Sequence, residues 1–338
     1  MGLPLRGGVR EAFCVSRKGV VPATVLQTEH LTKRYGSLIA VDDLSLEIHE
    51  GEIFGFLGPN GAGKTTSISM MCGLLKPDAG RVLIHGQTVH GGAPEVRARV
   101  GVCPQDTILW EKLTALEQLE FIGGLYGVPP RTARQRGAAL LEALGLSARS
   151  NELAGKLSGG MKRRLNLALA LVHDPEILVL DEPEAGLDPQ GRVLVREYIR
   201  SLARRKTVIL TTHNMDEAER LADRVAIIDH GRLLVVDTLE GLMRTVGEGD
   251  VLEVDFSVEP SPDSSSTSSL APAIAARFFA GVSTVDHTLM VRGRGLIERL
   301  PELLQALREA GVKTSDLRLR ANSLEDVFLS LTGRRLRE

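Results

Sequence analysis

The chain has 338 residues, with 41 lysines and arginines against 43 aspartates and glutamates and a formal net charge of −2. At about 100 to 200 residues per domain this length predicts two domains, and a composition of 43% hydrophobic and 25% charged residues excludes a wholly disordered chain. The balanced charge gives no electrostatic support for a general nucleic-acid binder, and no apolar run approaches the roughly 20 residues that cross a bilayer.

The predicted elements begin after a loose extension over residues 1–25 and indicate a parallel α/β core. Leu44–Ile48 and Glu52–Leu57 alternate like strands, and a glycine-rich loop and a helix over Thr65–Leu75 follow them. Short apolar strands that alternate with helices are typical of a parallel sheet covered on both faces. The further strands of this domain are predicted at Val82–His85, Gly101–Cys103, Ile177–Leu180, Thr207–Thr212 and Val225–Asp229.

Two further regions differ from this core. Residues of about 106–174 show helical spacing without strands, which predicts an all-helical subdomain inside a first domain that covers residues 26–240. Residues 241–338 alternate strands and helices again, with a single strand predicted at Val285–Val291, which predicts a small α+β accessory domain without a catalytic motif. Its segment Glu259–Ser269 is rich in Pro and Ser and is expected to be flexible.

The glycine-rich loop fits the pattern G-x-x-x-x-G-K-[ST] between an apolar strand and a helix. Its glycines let backbone N–H groups surround phosphate oxygens, and the following helix directs its positive end at them. Lys64 would neutralise the β- and γ-phosphates of a nucleotide, and the Thr65 hydroxyl would ligate Mg²⁺. The residues assigned to this phosphate site are Gly58, Asn60, Gly61, Ala62, Gly63, Lys64, Thr65 and Thr66.

A second candidate site is the apolar run Ile177–Leu180, which ends in Asp181 and Glu182. A buried parallel strand delivers its last side chains to the edge where ligands bind in such folds. Asp181 can hold Mg²⁺ through water, and Glu182 can act as the general base on the attacking water. An acidic strand end is by itself more typical of a solvated turn, and the phosphate loop is what favours the functional interpretation.

The segment Leu157–Arg164 adds the motif that carries a resemblance. With the two features above, residues of about 26–240 resemble the nucleotide-binding subunit of ATP-binding cassette (ABC) transporters. The resemblance implies a P-loop NTPase core with an antiparallel β subdomain and a helical subdomain, with ATP and Mg²⁺ bound. Ser158, Gly159 and Gly160 match the family signature, which caps the γ-phosphate of nucleotide held by the opposite subunit. A hydroxyl and glycine N–H groups at a helix start suit an anion.

Four more positions match the family's functional residues. Tyr35 resembles the aromatic residue that stacks on adenine, and Gln105 resembles the glutamine that reaches Mg²⁺ and the attacking water. His213 resembles the switch histidine at the γ-phosphate, so that the implied catalytic set is Lys64, Gln105, Glu182 and His213. Gly186-Leu187-Asp188 resembles the loop that crosses the dimer interface in this family, which implies that Asp188 helps to align the opposite site.

The chain departs from the family pattern at two places. Met161 stands where Gln is common, and Glu184-Ala185 stand where many relatives have Thr-Ser or Thr-Ala. Neither departure removes a group assigned to phosphate, metal or water.

The C-terminal segment Asn322–Gly333 narrows the resemblance to drug and antibiotic exporters of the daunorubicin-resistance type, as does Leu125–Pro129. Leu324, Val327, Phe328 and Leu331 fall at helical spacing. This apolar stripe is expected to pack in the core of the accessory domain and not to be a partner site.

The resemblance implies an ATP hydrolase that works as a dimer, either homodimer or heterodimer. It would drive a separate polytopic permease from the cytoplasmic face of the membrane, as a peripheral subunit of an exporter of drugs, antibiotics or lipid-like molecules, with no direct nucleic-acid partner. An importer ATPase and a module that binds ATP without hydrolysing it are alternatives. A non-transport ABC ATPase acting on ribosomes or DNA is a further one, although the chain has one phosphate loop and no sustained heptads.

Overall fold

The computed structural model describes residues 23–89, 98–246, 249–257, 270–279, 281–285, 287–293 and 295–333. Three sheets form the framework, two in the first domain and one in the accessory domain. Residues 1–22 of the predicted extension and the Pro- and Ser-rich segment Glu259–Ser269 lie outside the described residues. In the described ranges, each helix is too short or too polar to span a bilayer.

The central sheet has six strands in the order β10-β9-β3-β8-β7-β6, all parallel except the edge strand β10. Successive residues of β8 face opposite sides: Val208 and Leu210 pack with the helical subdomain, whereas Ile209 packs with the antiparallel sheet. Because both faces are covered, the inner strands of the sheet are apolar over most of their length, and their polar residues lie at the strand ends. The strands are β3 (Ile53–Leu57), β6 (Val100–Cys103), β7 (Ile177–Asp181), β8 (Thr207–Thr212), β9 (Arg224–Asp229) and β10 (Arg232–Thr238).

A four-stranded antiparallel sheet, in the order β2-β1-β4-β5, covers one face of the central sheet. Of β2, alternation in the sequence predicted only the last part, Leu44–Ile48. Register shifts in the β1–β2 pairing disrupt the period of two in the rest of the hairpin. Gly36 takes a φ of +59° in the β1–β2 turn, which places Tyr35 at the tip of the hairpin. The strands are β1 (Thr24–Tyr35), β2 (Leu38–His49), β4 (Ala79–Ile84) and β5 (Gln87–Thr88).

Helices occupy the other positions of the first domain. α1 (Lys64–Met71) follows β3, and the helical subdomain consists of α2 (Ala115–Leu125), α3 (Pro130–Ala143) and α4 (Gly159–Leu171). α2 begins with a capping box between Thr114 and Glu117, which satisfies two backbone donors at its start. The core helices α5 (Pro189–Leu202) and α6 (Met215–Leu221) follow β7 and β8, as the predicted strand–helix alternation requires.

The accessory domain is an antiparallel sheet in the order β12-β13-β11-β14 with α8 and α9 packed on it. The single strand predicted at Val285–Val291 is instead the junction of two strands, which pair antiparallel around a turn. The elements are α7 (Leu239–Thr245), β11 (Asp250–Ser257), α8 (Leu270–Ala275), β12 (Gly281–Val285), β13 (Thr288–Gly293), α9 (Leu296–Glu309), β14 (Lys313–Ala321) and α10 (Leu324–Thr332).

The predicted destination of the C-terminal apolar stripe is wrong. Leu324, Val327 and Phe328 are buried in a cluster with α6, α7 and strand ends of the first domain, not in the accessory core. Leu331 is 45% exposed. The reason is that α8 and α9 already occupy the apolar face of the accessory sheet, so α10 joins the two domains instead. Helical periodicity identifies a buried face but not the surface that buries it.

The docking of α10 predicts a large difference between two apolar residues of the same helix. Phe328→Ala removes a fully buried ring and should lower the free energy of unfolding by about 3–5 kcal/mol. Leu331→Ala, on the exposed side, should change it by about 0.5 kcal/mol or less. Urea denaturation of the full chain measures both, and equal losses in the two variants would contradict this docking.

Candidate functional site

The predicted site residues converge on a cavity of about 470 Å³ at the carboxyl edge of the central sheet. The β1–β2 hairpin tip forms one side and the strand end of β7 the other. Leu38, Ile39, Ala40 and His230 also line the cavity and were not predicted from the sequence. The predicted residues that line it are Tyr35, Asn60, Gly61, Gly63, Lys64, Thr65, Thr66, Gln105, Asp181 and Glu182.

The glycine-rich loop is shaped for an anion. Gly63 has a φ of +99°, and a Cβ there would stand 2.3 Å from the carbonyl oxygen of Ala40, so only glycine fits. A Cβ on Gly58 would likewise lie 2.4 Å from the carbonyl oxygen of Ile228. No side chain caps the start of α1, where Gly63 is the N-cap. The backbone N–H groups of its first turn therefore suit phosphate oxygens, which is the predicted use of this loop.

Lys64 places a cation inside this loop. Its ammonium donates to the carbonyl oxygens of Gly58 at 2.7 Å and Pro59 at 3.1 Å, and the residue is 7% exposed. Burial lowers the pKa of Lys64, and the negative charges of Glu182 and Asp181 oppose this effect. The site thus places the buried Lys64 ammonium near the carboxylates of Asp181 and Glu182.

The acidic pair stands where β7 ends beside β8. Asp181 pairs with Thr211 in the parallel register, and the Thr211 hydroxyl donates to the Asp181 carboxylate. Glu182 has a φ of +51°, which is rare for a residue with a side chain and marks local strain. Its N–H donates to the carbonyl oxygen of Thr211 at 3.0 Å, so the neighbouring strand holds the strained backbone in place.

Each carboxylate oxygen of Glu182 contacts a residue that was also predicted to take part in ATP hydrolysis. Oε2 accepts from the Gln105 amide nitrogen at 3.3 Å, and Oε1 lies 2.6 Å from Nδ1 of His213. The carboxylate is nearly buried, whereas the His213 side chain is 45% exposed. The structure therefore brings Gln105 and His213 to the Glu182 carboxylate, with Gln105 and Glu182 in the cavity lining and His213 beside it.

The donor set at the cavity suits Mg²⁺ bound together with a nucleotide. Thr65, Gln105 and Asp181 line it, with a hydroxyl, an amide and a carboxylate. Mg²⁺ prefers oxygen ligands and retains waters and substrate phosphates around one or two carboxylates. Within the described residues no group of three or more His, Cys, Asp or Glu side chains could cage a metal by itself. The residues present fit a metal that arrives with phosphate.

Another predicted group lies outside the cavity. The Ser158 hydroxyl accepts from the Met161 N–H at 3.3 Å and caps α4, and the Asp188 carboxylate caps α5 through the Gly191 N–H at 3.0 Å. A Cβ on Gly160 would lie 3.4 Å from the side chain of Leu187, so the two helix starts are neighbours. Ser158, Gly159, Gly160 and Asp188 are absent from the cavity lining, as are His213 and the loop positions Gly58 and Ala62.

Arg163 links the site to the helical subdomain and was not predicted as a site residue. It is 5% exposed. Its Nη1 donates to the carbonyl oxygens of Pro104 at 2.5 Å and Gln105 at 2.9 Å. Its Nη2 donates to the carbonyl oxygen of Glu182 at 2.9 Å and to that of Asp181. The available signal was its helical spacing with the apolar Leu167 and Ala170, which puts a charge on the buried face of α4.

A second missed cluster explains the departure at Glu184. Its carboxylate is buried and forms a two-pronged ion pair with Arg196 of α5, at 2.8 and 2.6 Å. Glu217 of α6 is also buried, and it accepts a hydrogen bond from the Thr212 hydroxyl at 2.6 Å. Burial raises the pKa of Glu217 to about 7, and the negative charges of Glu184 and Glu182 act in the same direction.

A phosphate loop, a strand-end Asp-Glu pair and adjacent Gln and His side chains define a nucleotide-binding cassette of the P-loop class. A family model described as ABC transporter matches residues 41–185. Nod factor export ATP-binding protein I of Ralstonia nicotianae is 41% identical over 95% of this chain and 97% of its own length. The daunorubicin resistance ATP-binding protein DrrA3 of Streptomyces coeruleorubidus is 39% identical over 93% of this chain and 98% of its own length. The chain belongs to the ABC transporter family as an ATP-binding subunit that hydrolyses ATP.

Solved structures agree with this assignment. An ATP-binding subunit of an ABC transporter superposes with a TM-score of 0.61 and 29% identity, over 66% of this chain and 93% of that structure. The dimeric, post-hydrolysis state of the ATP-binding cassette MJ0796 with ADP and Pi has a TM-score of 0.59 and 27% identity, over 63% of this chain and 98% of that structure. The predicted fold, family and ATPase activity are confirmed, and the roles of the individual site residues stay predictions.

The raised pKa of Glu217 predicts a pH-dependent stability. Between pH 4.5, its ordinary pKa, and about 7 the unfolded chain loses this proton while the folded chain keeps it. The free energy of unfolding therefore falls as pH rises through this window, by roughly 3 kcal/mol. Glu217→Gln replaces the titrating carboxyl by an amide that does not titrate. The free energy of unfolding of this variant, relative to that of wild type, should therefore increase from pH 5 to pH 8. Urea unfolding across this range measures the difference, with the exposed Asp216→Asn as control; parallel curves for Glu217→Gln and wild type would refute it.

Proposed function

We propose that this chain is the ATPase subunit of an exporter and works in a dimer, each cavity completed by the signature of the opposite subunit. The observation that carries the proposal is the division of the site. Lys64 and Glu182 line one cavity and His213 contacts Glu182 beside it, while Ser158 and Asp188 lie outside it at two adjacent helix starts. Helix starts with exposed Ser and Gly suit the γ-phosphate of a nucleotide on a second subunit.

Nucleotide binding follows from the chemistry of the cavity walls. Phosphate oxygens bind the N–H groups of the loop from Gly61 to Thr66, and the Lys64 ammonium turns from the loop carbonyls to the β- and γ-phosphates. The adenine ring stacks on Tyr35, which is 51% exposed, beside the exposed Leu38. An apolar wall therefore receives the base and a polar, cationic wall receives the phosphates.

Mg²⁺ would be held by the Thr65 hydroxyl, the Gln105 amide and, through water, the Asp181 carboxylate. When bound, it supplies positive charge at the β- and γ-phosphate oxygens. The Thr211 hydroxyl orients the Asp181 carboxylate for this role.

Hydrolysis is assigned to the group around Glu182. The Glu182 carboxylate accepts a proton from a water molecule whose oxygen attacks the γ-phosphorus, as the bond to the bridging oxygen of ADP breaks. Gln105 and His213 hold the two carboxylate oxygens and so fix the direction in which this base points. His213, whose side chain is 45% exposed beside Glu182, would contact the γ-phosphate.

Transport requires a separate polytopic permease, and an apolar groove supports its docking site. The groove has a volume of about 230 Å³ and lies between the helical subdomain and the core, close to the Gln105 segment. Ile108, Trp110 and Phe121 expose 70%, 43% and 47% of their surface there or at its rim. Exposed large apolar groups of this kind are typical of an interaction surface. Movement at Gln105 on nucleotide binding would reach the permease directly. We infer that the subunit works as a peripheral protein at the cytoplasmic face of the membrane.

Export is favoured over import by the names of the relatives, which refer to export and to drug resistance. We infer a cargo of drugs, antibiotics or lipid-like molecules, chosen by the permease. No described feature favours the alternatives of an importer, of a non-hydrolysing module or of an ATPase on ribosomes or DNA.

The assignment of Glu182 as the base predicts a separation of binding from turnover. Glu182→Gln keeps the shape and loses the basic oxygen, so steady-state hydrolysis should fall by about 10²-fold or more. The Kd for ATP should change less than about twofold, because the phosphate loop is untouched, and ATP should now hold the variant as a dimer in size-exclusion chromatography. Glu197→Gln, an exposed change on α5, is the matched control. Near wild-type hydrolysis by Glu182→Gln would contradict the assignment.

The proposed partner can be tested by affinity purification from membranes of the native cell. We expect a polytopic membrane protein to copurify with the full chain, and Trp110→Asp, in the groove, to reduce the yield of this partner about tenfold without changing the Kd for ATP. Copurification with ribosomes or DNA instead would overturn the transport proposal.

A further inference from the structure

The loop that carries His213 is fixed by a hydrogen-bond network centred on Glu217. The Thr212 hydroxyl accepts from the Asn214 N–H at 2.9 Å and donates to Glu217 Oε2 at 2.6 Å. The Asn214 side chain in turn accepts from the Glu217 N–H at 3.2 Å and caps α6. The residues on both sides of His213 are therefore connected to the same buried glutamate.

His213 itself has little packing to hold it. Its side chain is 45% exposed, and the contact that directs it toward the site is the 2.6 Å bond between Nδ1 and Glu182 Oε1. A half-exposed imidazole samples other rotamers unless its backbone is held at the right position and angle. The network of Thr212, Asn214 and Glu217 supplies this restraint.

We propose that Glu217 is a positioning residue of the hydrolytic site: it holds the loop Thr212–Asn214 so that His213 meets the Glu182 carboxylate. This inference rests on the proposed roles of Glu182 and His213. Glu217 is 5% exposed and stands on α6, beyond the lining of the nucleotide cavity. It therefore acts through His213 and not on the nucleotide.

The charges around Glu217 explain why it serves as a hydrogen-bond acceptor and not as an ion-pair partner. Glu182 and Glu184 face it from the segment after β7, and Arg196 faces it from α5. Arg196 is already engaged by both oxygens of Glu184. Glu217 instead accepts from the Thr212 hydroxyl, which it can do whether or not its other oxygen is protonated. The family departure at Glu184 keeps the arginine away from the network that holds His213.

The first test compares variants of the full chain by ATPase kinetics and ATP binding. Glu217→Ala and Thr212→Val each remove one end of the 2.6 Å bond and should lower kcat about tenfold, with the Kd for ATP changed less than twofold. Glu217→Gln retains an acceptor oxygen and should keep at least about half of the wild-type kcat. Asp216→Ala, exposed on the same helical turn, is the control and should leave kcat unchanged.

A double-mutant cycle distinguishes action through His213 from general destabilisation. In the His213→Ala background, Glu217→Ala should cause no further loss of kcat, because the group it positions is gone. An additional tenfold loss in that background would overturn the proposal.

Hydrogen exchange gives a readout that does not depend on activity. The Asn214 and Glu217 amides should exchange about tenfold faster in Glu217→Ala and Thr212→Val, while those of β3 stay unchanged. Unchanged exchange at both amides would refute the positioning role, even if hydrolysis fell. Normal hydrolysis by Glu182→Gln would instead refute the proposed function, and the exchange result would still decide whether Glu217 holds the loop.

Discussion

The site depends on the parallel pairing of β7 with β8, in which Asp181 stands opposite Thr211. This register places the Glu182 N–H on the Thr211 carbonyl oxygen and the Thr211 hydroxyl on the Asp181 carboxylate. It also sets His213 beside Glu182. A shift of one residue would turn each of these side chains to the opposite face of the sheet. The strain at Glu182 is tolerated because the neighbouring strand determines its position.

Arg163 extends this arrangement to the helical subdomain. A buried guanidinium is costly unless its donors find acceptors, and here four carbonyl oxygens around the strand ends accept from the two terminal nitrogens, whereas the buried Nε has no partner among the described residues. The same cation therefore connects α4, which begins at the signature, with the backbone of Gln105 and Glu182. In the proposed mechanism, movement of the signature helix and the geometry of the base are linked through this side chain. The α10 helix connects the accessory domain to the first domain, because it packs against α6, the helix that follows the loop of His213.

Much of the candidate site could be predicted from the sequence, for a physical reason. A phosphate loop is a local object: the glycines, the lysine and the helix start are contiguous, so Gly58–Thr66 predicts its own geometry. Glu182 was assigned from the acidic end of an apolar strand and His213 through the family resemblance, and the structure places Glu182 Oε1 2.6 Å from His213 Nδ1. Glu217 and Glu184 were not assigned, because buried carboxylates far apart in the chain look like exposed helix and loop residues in a sequence.

The sequence by itself determined the class of fold and the phosphate loop, because these follow from local periodicity and contiguous motifs. Only the tertiary structure decided which residues hold the catalytic groups in place. It pairs Thr212 with Glu217 and Arg163 with the strand ends, and it buries Phe328 against α6. Burial faces and hydrogen-bond partners of distant segments are set by packing between elements, and such packing leaves no fixed spacing in the chain.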